Sequence, residues 1–254
     1  MAMRSFWIIA FCVILFFHNT STASQTDSLE VKIDLLMGKF KDKPGGVIGI
    51  VDNGKLVFSK GYGLGNMRKG STASGQTPFK IASVSKQFTA AVIQQLIKDG
   101  ALSMDADIRK YIPEFPDYGK KITISNLLYH TSGIRDYVVL MWLTGISMEA
   151  RFTNKDALSI IFRQQKLDFT TGYRCVYSNS NYLILAEIAE KVTGKTFNEL
   201  SNNIIYKPLG MLNTGVGSFK DNKGLALSYK QTEQAWLPYG LGNLATGNSG
   251  MYTT

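Results

Sequence analysis

The chain has 254 residues, a formal net charge of +9, 44% hydrophobic and 19% charged residues. That apolar content and the lack of long like-charge runs exclude disorder as the main state, and 24 glycines without a fixed period exclude collagen and repeat architectures. Two cysteines exclude a disulfide scaffold, scattered lysines and arginines come with no nucleic-acid recognition motif, and two histidines are too few for a histidine-rich metal centre.

The first segment reads as an export signal. Arg4 gives a positive start, Phe6 to Phe17 is an uncharged apolar run, and small or polar residues follow from Asn19 to Ser24. The run is short of the ~20 apolar residues that a bilayer span requires. Cleavage is expected after Ala23 or Ser24, with an uncleaved membrane anchor as the alternative. Phe11 before Cys12 argues against a lipoprotein signal. The expected organisation is therefore a signal peptide over 1–24 and one exported domain over 25–254, periplasmic or extracellular, with no stable membrane span after cleavage. Cys175 is then the one remaining thiol and is expected to be buried rather than reactive.

Residues Ser28 to Phe40 predict an amphipathic helix with Leu29, Ile33, Leu36 and Phe40 on one face, stopped at Pro44-Gly45-Gly46. Val47 to Val51 and Leu56 to Tyr62 predict a hairpin turning at Asn53-Gly54. Both strands are apolar nearly throughout, which predicts that both faces are covered. After a polar loop, Ser83 is expected to open a helix reaching Asp99, with a stripe of Phe88, Val92 and Leu96 and a stop at Gly100. Ile124 to Tyr129, Asn154 to Gln164, Asn179 to Val192 and Phe197 to Tyr206 predict further helices. Residues 213–254 read as Gly-rich loop. The hairpin thus lacks obvious strand partners, although two strands alone do not sustain a sheet.

Two short motifs carry chemistry. Ser83-Val84-Ser85-Lys86 puts a hydroxyl and an amine on one helix face, near backbone N–H groups that suit an oxyanion. Partial burial and the helix N-terminus would lower the Lys86 pKa toward a neutral amine. Taken alone, the same four residues also suit a helix-capping Ser83 with a solvent-facing Lys86. Tyr177-Ser178-Asn179 sits at a loop-to-helix junction. A phenol can relay protons at neutral pH if a cation such as Lys86 stabilises its phenolate, and an Asn can orient an amide. Taken alone, a capping Ser or Asn beside a packed Tyr fits equally well.

Together and in order, these motifs resemble those of the serine β-lactamase and penicillin-binding protein superfamily. Phe79 to Ala90 resembles the nucleophile segment of its class C β-lactamase-related branch. Leu127-Leu128-Tyr129-His130-Thr131-Ser132-Gly133 is similar to that branch's Leu-Leu-x-His-Thr-Ser-Gly segment. Tyr177-Ser178-Asn179 matches its Tyr-x-Asn box, and Lys207-Pro208-Leu209-Gly210-Met211 resembles a later turn. The resemblance implies an α+β, β-lactamase/transpeptidase-like fold, with a helical domain beside an α/β antiparallel-sheet domain and the site between them. It implies that Ser83 is the acylated nucleophile, Lys86 accepts or shuttles its proton, Tyr177 is the companion base and leaving-group acid, and Asn179 orients the substrate amide. The Ser83 backbone N–H would be half of the oxyanion hole. His130 falls in a segment that is usually structural. A Ser-His-Asp triad using His130 is a weaker rival, because no Gly-x-Ser-x-Gly elbow exists.

The family's third box, Lys- or His-Thr/Ser-Gly, is absent. Gly250-Met251-Tyr252-Thr253-Thr254 resembles a family stretch that opens another helix, so the C-terminal strands and last helix are expected to be missing from an incomplete member. Losing a second oxyanion donor costs ~10²–10³ in rate. The expected activity is an exported serine hydrolase acting on a β-lactam, a D-alanyl cell-wall peptide or an ester, with no metal or organic cofactor and no nucleic acid. The alternative is a non-catalytic remnant or a cell-wall-binding protein.

Overall fold

The computed structural model describes residues 21–147, 149–150, 152–217, 224–240 and 245–254. The apolar run and Cys12 of the expected signal peptide lie outside the described residues. The expected cleavage positions, Ala23 and Ser24, fall in the first helix, α1 (Ser21–Met37). This helix starts earlier than its apolar spacing predicts. Leu29 and Leu36 are exposed rather than packed, and a 3-10 turn carries the chain on to Phe40. The helix is held by polar contacts instead: Lys60 Nζ donates to Glu30 Oε1 and Asp34 Oδ2, each at 2.8 Å, and Tyr62 Oη donates to Asp34 Oδ1 at 2.7 Å.

The hairpin forms as expected from β1 (Gly46–Asp52) and β2 (Lys55–Tyr62). Asn53 at φ 47° and Gly54 at φ 75° are both left-handed, as the two-residue turn of tightly paired strands requires. The expectation of two covered faces is overturned. Val51, Leu56 and Val57 are exposed, and among the described residues the sheet contains these two strands alone. The apolar runs in these strands report β-propensity and not burial.

Short strands β3 (Leu64–Asn66) and β4 (Ser71–Thr72) pair with each other, and β5 (Phe79–Lys80) leads into the functional segment. A 3-10 turn over Ala82–Val84 precedes α2 (Ser85–Lys98), so the regular helix opens two residues later than expected. Then follow α3 (Ile124–Leu128), α4 (Tyr137–Leu143), α5 (Asn154–Phe162), α6 (Asn179–Thr193) and α7 (Phe197–Ser201). The last predicted helix passes from α7 into a π-helical turn over Asn202–Tyr206.

The core lies among these helices. Leu183, Ile184, Leu185, Ala186, Ile188 and Ala189 of α6 are all fully buried, so this helix is enclosed on every side rather than along one stripe. Helices α2, α3, α4, α5 and α7 pack around it. Capping boxes at Thr123/Asn126, Thr153/Asp156 and Thr196/Glu199 satisfy the first amides of α3, α5 and α7. Gly194 at φ 68° ends α6.

The segment read as loop from residue 213 onward contains β6 (Gly215–Val216), β7 (Tyr229–Gln231), β8 (Trp236–Pro238) and β9 (Met251–Thr253). Strand β9 occupies the centre of a three-stranded sheet in the order β5-β9-β6. The reading of residues 213–254 as loop is therefore corrected. Met251, buried on β9, packs into the helical core, and the backbone N–H of Ile81 donates to the Met251 carbonyl at 3.1 Å. The result is a helical bundle beside small antiparallel sheets, an α+β arrangement.

Candidate active site

The segment before Ser83 is fixed by the pairing of β5 with β9. Ala82 then adopts φ 44°, a left-handed conformation that costs a residue with a Cβ some energy. This reversal turns the chain into the 3-10 turn and leaves Ser83 exposed to solvent, while Lys86, one turn on, is 7% exposed. The backbone N–H of Ser83 lies in the first turn, where amides have no acceptor within the helix.

Four side chains converge at this point. Ser83 Oγ and Tyr177 Oη are 2.7 Å apart, and Lys86 Nζ lies 3.3 Å from Ser83 Oγ. Lys86 Nζ donates to Asn179 Oδ1 at 2.9 Å and to the Asn248 carbonyl at 2.8 Å. Tyr177 Oη donates to Asn179 Oδ1 at 3.2 Å. All four residues singled out from the sequence thus meet. Lys86 does not face solvent, and Ser178 does not cap α6: its hydroxyl is buried without a hydrogen-bond partner among the described residues.

Burial pushes the Lys86 pKa down to about 8, and the Asp136 charge partly opposes that fall. Three acceptors surround the nitrogen, which donates to Asn179 Oδ1 at 2.9 Å, the Asn248 carbonyl at 2.8 Å and Ser83 Oγ at 3.3 Å; loss of the Ser83-facing proton would turn a lone pair to the hydroxyl and keep the two shorter bonds. Lys86 Nζ also lies 4.7 Å from the Tyr177 ring centroid and 5.7 Å from that of Tyr182.

Three residues that sequence reasoning missed complete the site. Asp136 Oδ2 accepts from the Asn179 backbone N–H at 2.7 Å and from Asn179 Nδ2 at 2.9 Å. Its other oxygen caps α4, accepting from Val138 N at 2.7 Å and Val139 N at 3.3 Å. Tyr137 Oη donates to Asn248 Oδ1 at 3.2 Å. Asn248 itself sits in a turn whose Gly247 carbonyl accepts from Thr89 Oγ1 of α2 at 2.7 Å. Asp136 before an apolar run is legible as a helix N-cap. Its second use, and the whole role of Asn248, left no local signal.

His130 lies between two tyrosines, with ring centroids 4.9 Å from Tyr177 and 5.1 Å from Tyr182. Its Nδ1 accepts from the Ser178 backbone N–H at 3.2 Å and is 3.1 Å from Asn181 Nδ2. Burial and the nearby Lys86 hold its pKa below the usual imidazole value. The ring therefore supports the Tyr177 loop as a neutral spacer, as expected of a structural His. Cys175 overturns its expectation: it is exposed, and its Sγ lies 3.3 Å from the Tyr129 carbonyl. Among the described residues no helix is long and apolar enough to cross a membrane.

Known proteins share this arrangement of sequence and fold. The beta-lactamase family model matches residues 33–254. A D-aminopeptidase of Cereibacter sphaeroides strain KD131 is 34% identical over 185 residues, 73% of this chain and 35% of that protein. Protein flp of Staphylococcus aureus is 35% identical over 211 residues, 80% of this chain and 40% of that protein. The octameric penicillin-binding protein homologue from Pyrococcus abyssi superposes with a TM-score of 0.76 at 26% identity, covering 92% of this chain and 54% of that one. The chain spans about a third of the length of the D-aminopeptidases it matches.

Proposed function

The chain belongs to the beta-lactamase family, and from that premise we propose that it is an exported serine hydrolase working through an acyl-enzyme on Ser83. The observation that carries this reading is the pair of contacts on one hydroxyl: Tyr177 Oη at 2.7 Å and Lys86 Nζ at 3.3 Å. A serine with two proton acceptors in reach is an activated nucleophile.

In the proposed cycle, Ser83 Oγ attacks the substrate carbonyl carbon as its proton passes to the neutral Lys86 amine, directly or by way of Tyr177 Oη, which takes it up while releasing its own phenolic proton to Lys86. The Ser83 backbone N–H stabilises the oxyanion. Collapse breaks the carbon–nitrogen bond, and Tyr177 hands the proton to the departing amine. Water then attacks the acyl ester, its proton returning through the same pair to Ser83, and the carboxylic acid leaves. Asn179 orients the substrate amide and Lys86. The relatives named D-aminopeptidase favour a peptide-type amide over an ester as substrate. Export rests on the apolar leader after Arg4, with 25–254 as the mature domain and no span after cleavage.

Incubation of the mature chain with a fluorescent penicillin, read by intact mass, tests this. A stoichiometric adduct on wild type and none on Ser83→Ala is expected. A folded wild type that takes no adduct from penicillins, D-aminoacyl amides or activated esters overturns the reading.

A further inference from the structure

We propose that Asp136 is a positioning residue that fixes which end of the Asn179 amide faces Lys86. The inference rests on the reading of Lys86 as the proton acceptor for Ser83.

An Asn amide can turn over, exchanging a carbonyl for an NH₂ group. At Asn179 this choice decides whether Lys86 meets an acceptor or a donor. Asp136 Oδ2 removes the freedom. It accepts from Asn179 Nδ2 at 2.9 Å and from the Asn179 backbone N–H at 2.7 Å, so the side chain is gripped in register with its own backbone. The carbonyl is then directed to Lys86 Nζ at 2.9 Å and Tyr177 Oη at 3.2 Å. The turned-over amide would aim its NH₂ at the Lys86 Nζ hydrogens and its carbonyl at the Asp136 carboxylate oxygen. Both contacts are repulsive.

The carboxylate is itself held. Its Oδ1 caps the first turn of α4 through Val138 N and Val139 N. The next residue, Tyr137, donates from Oη to the side-chain Oδ1 of Asn248 at 3.2 Å, while Lys86 donates to the backbone carbonyl of that same residue. Two adjacent residues at the start of α4 thus bond the side chains of the two asparagines that supply Lys86 with acceptors. The charged and titratable groups facing Lys86 are Asp136, His130, Tyr177 and Tyr182. Asp136 is the anion among them, and it favours the ammonium form.

The test separates capping from positioning. Ser and Asn are as good as Asp at the start of a helix, so Asp136→Ser and Asp136→Asn keep the cap of α4. Both remove the charge, and Ser also removes the second oxygen that grips Asn179. In each variant the Lys86 ¹³Cε resonance, assigned with Lys86→Arg, is expected to titrate at lower pH than in wild type. Acylation by a fluorescent penicillin is expected to slow by about tenfold or more at the high-pH plateau, since misorienting one catalytic group costs on the order of 10²-fold. In an Asn179→Ala background, adding Asp136→Ser is expected to change that plateau little, because both act through one amide.

A Lys86 titration and acylation plateau unchanged in folded Asp136→Ser and Asp136→Asn overturn the proposal. So does full additivity of Asp136→Ser with Asn179→Ala. Failure of wild type to acylate would strike the catalytic reading instead, because the Lys86 titration reports on the Asp136 grip without any substrate.

Discussion

Lys86 Nζ and the backbone carbonyl of Asn248 are joined by a 2.8 Å hydrogen bond across 162 residues of chain. That bond, with Asn179 Oδ1, consumes two of the three hydrogens of an ammonium and both hydrogens of an amine. With Ser83 Oγ at 3.3 Å as the third acceptor the ammonium is fully matched, and the amine formed by loss of the Ser83-facing proton keeps both shorter bonds.

The pH dependence follows from the Lys86 pKa of about 8. Acylation needs the amine, so its rate should rise through about pH 8 and level off above it. The linkage has the same sign. The unfolded lysine holds its proton up to its ordinary value, so between about 8 and 10.5 the unfolded state binds more protons and folding gains from rising pH. Penicillin acylation rates from pH 6 to 10, with denaturant melts at the same points, check both. A rate that falls as pH rises through 8 contradicts the assignment.

Ser83 and Tyr177 are exposed, so replacing them should cost activity and little stability. Ser83→Ala should abolish the adduct. Tyr177→Phe should slow acylation by about 10²–10⁴, the usual worth of a positioned proton-transfer group. Thermal melts of both should stay close to wild type.

Gly247 supplies a sharper structural test. At φ 94° it is left-handed, and an added Cβ would lie 2.4 Å from the Tyr182 carbonyl oxygen. Gly247→Ala should lower the melting temperature and displace the Asn248 carbonyl from Lys86. A shifted Lys86 ¹³Cε titration in whatever fraction remains folded would report that displacement.

The central helix should dominate stability. Ile184 of α6 is fully buried. Ile184→Ala should cost about 2–5 kcal/mol, read from urea melts, as expected for emptying a packed core position. Leu143→Ala, at a residue 79% exposed on α4, should change the melt by less than about 0.5 kcal/mol.

The legible parts of the site were those encoded within a few residues. Ser83 and Lys86 share a helix face, and Tyr177 and Asn179 flank one N-terminus, so short spacings announce them. Asp136 acts on Asn179 across 43 residues, and Asn248 acts on Lys86 through its backbone, which any residue type carries. No side-chain pattern records such a role. Among the elements, α6 and the Asn53-Gly54 hairpin were readable from periodicity and turn chemistry. The strands from β6 to β9 have two or three residues each, too few for a period of two to show. Met251 to Thr253 were read as loop because their strand conformation is decided by pairing with β5 and β6 and not by local pattern. Cys175 was misjudged because thiol burial is a tendency of the residue type, while the loop before Tyr177 keeps its neighbours Tyr173 and Val176 exposed as well.

The long separation between Lys86 and its backbone acceptor also sets a clock during biosynthesis. Chains grow at about 5–20 residues per second, so a nascent lysine waits roughly 8–30 s for the 162 residues that bring its partner. For that interval Ser83 and Lys86 already exist, but the amine is solvated and protonated and the serine is an ordinary alcohol. On the proposed reading of Ser83, the hydroxyl is unactivated while the chain is being made, and gains its proton acceptor only when the Asn248 turn closes over the lysine.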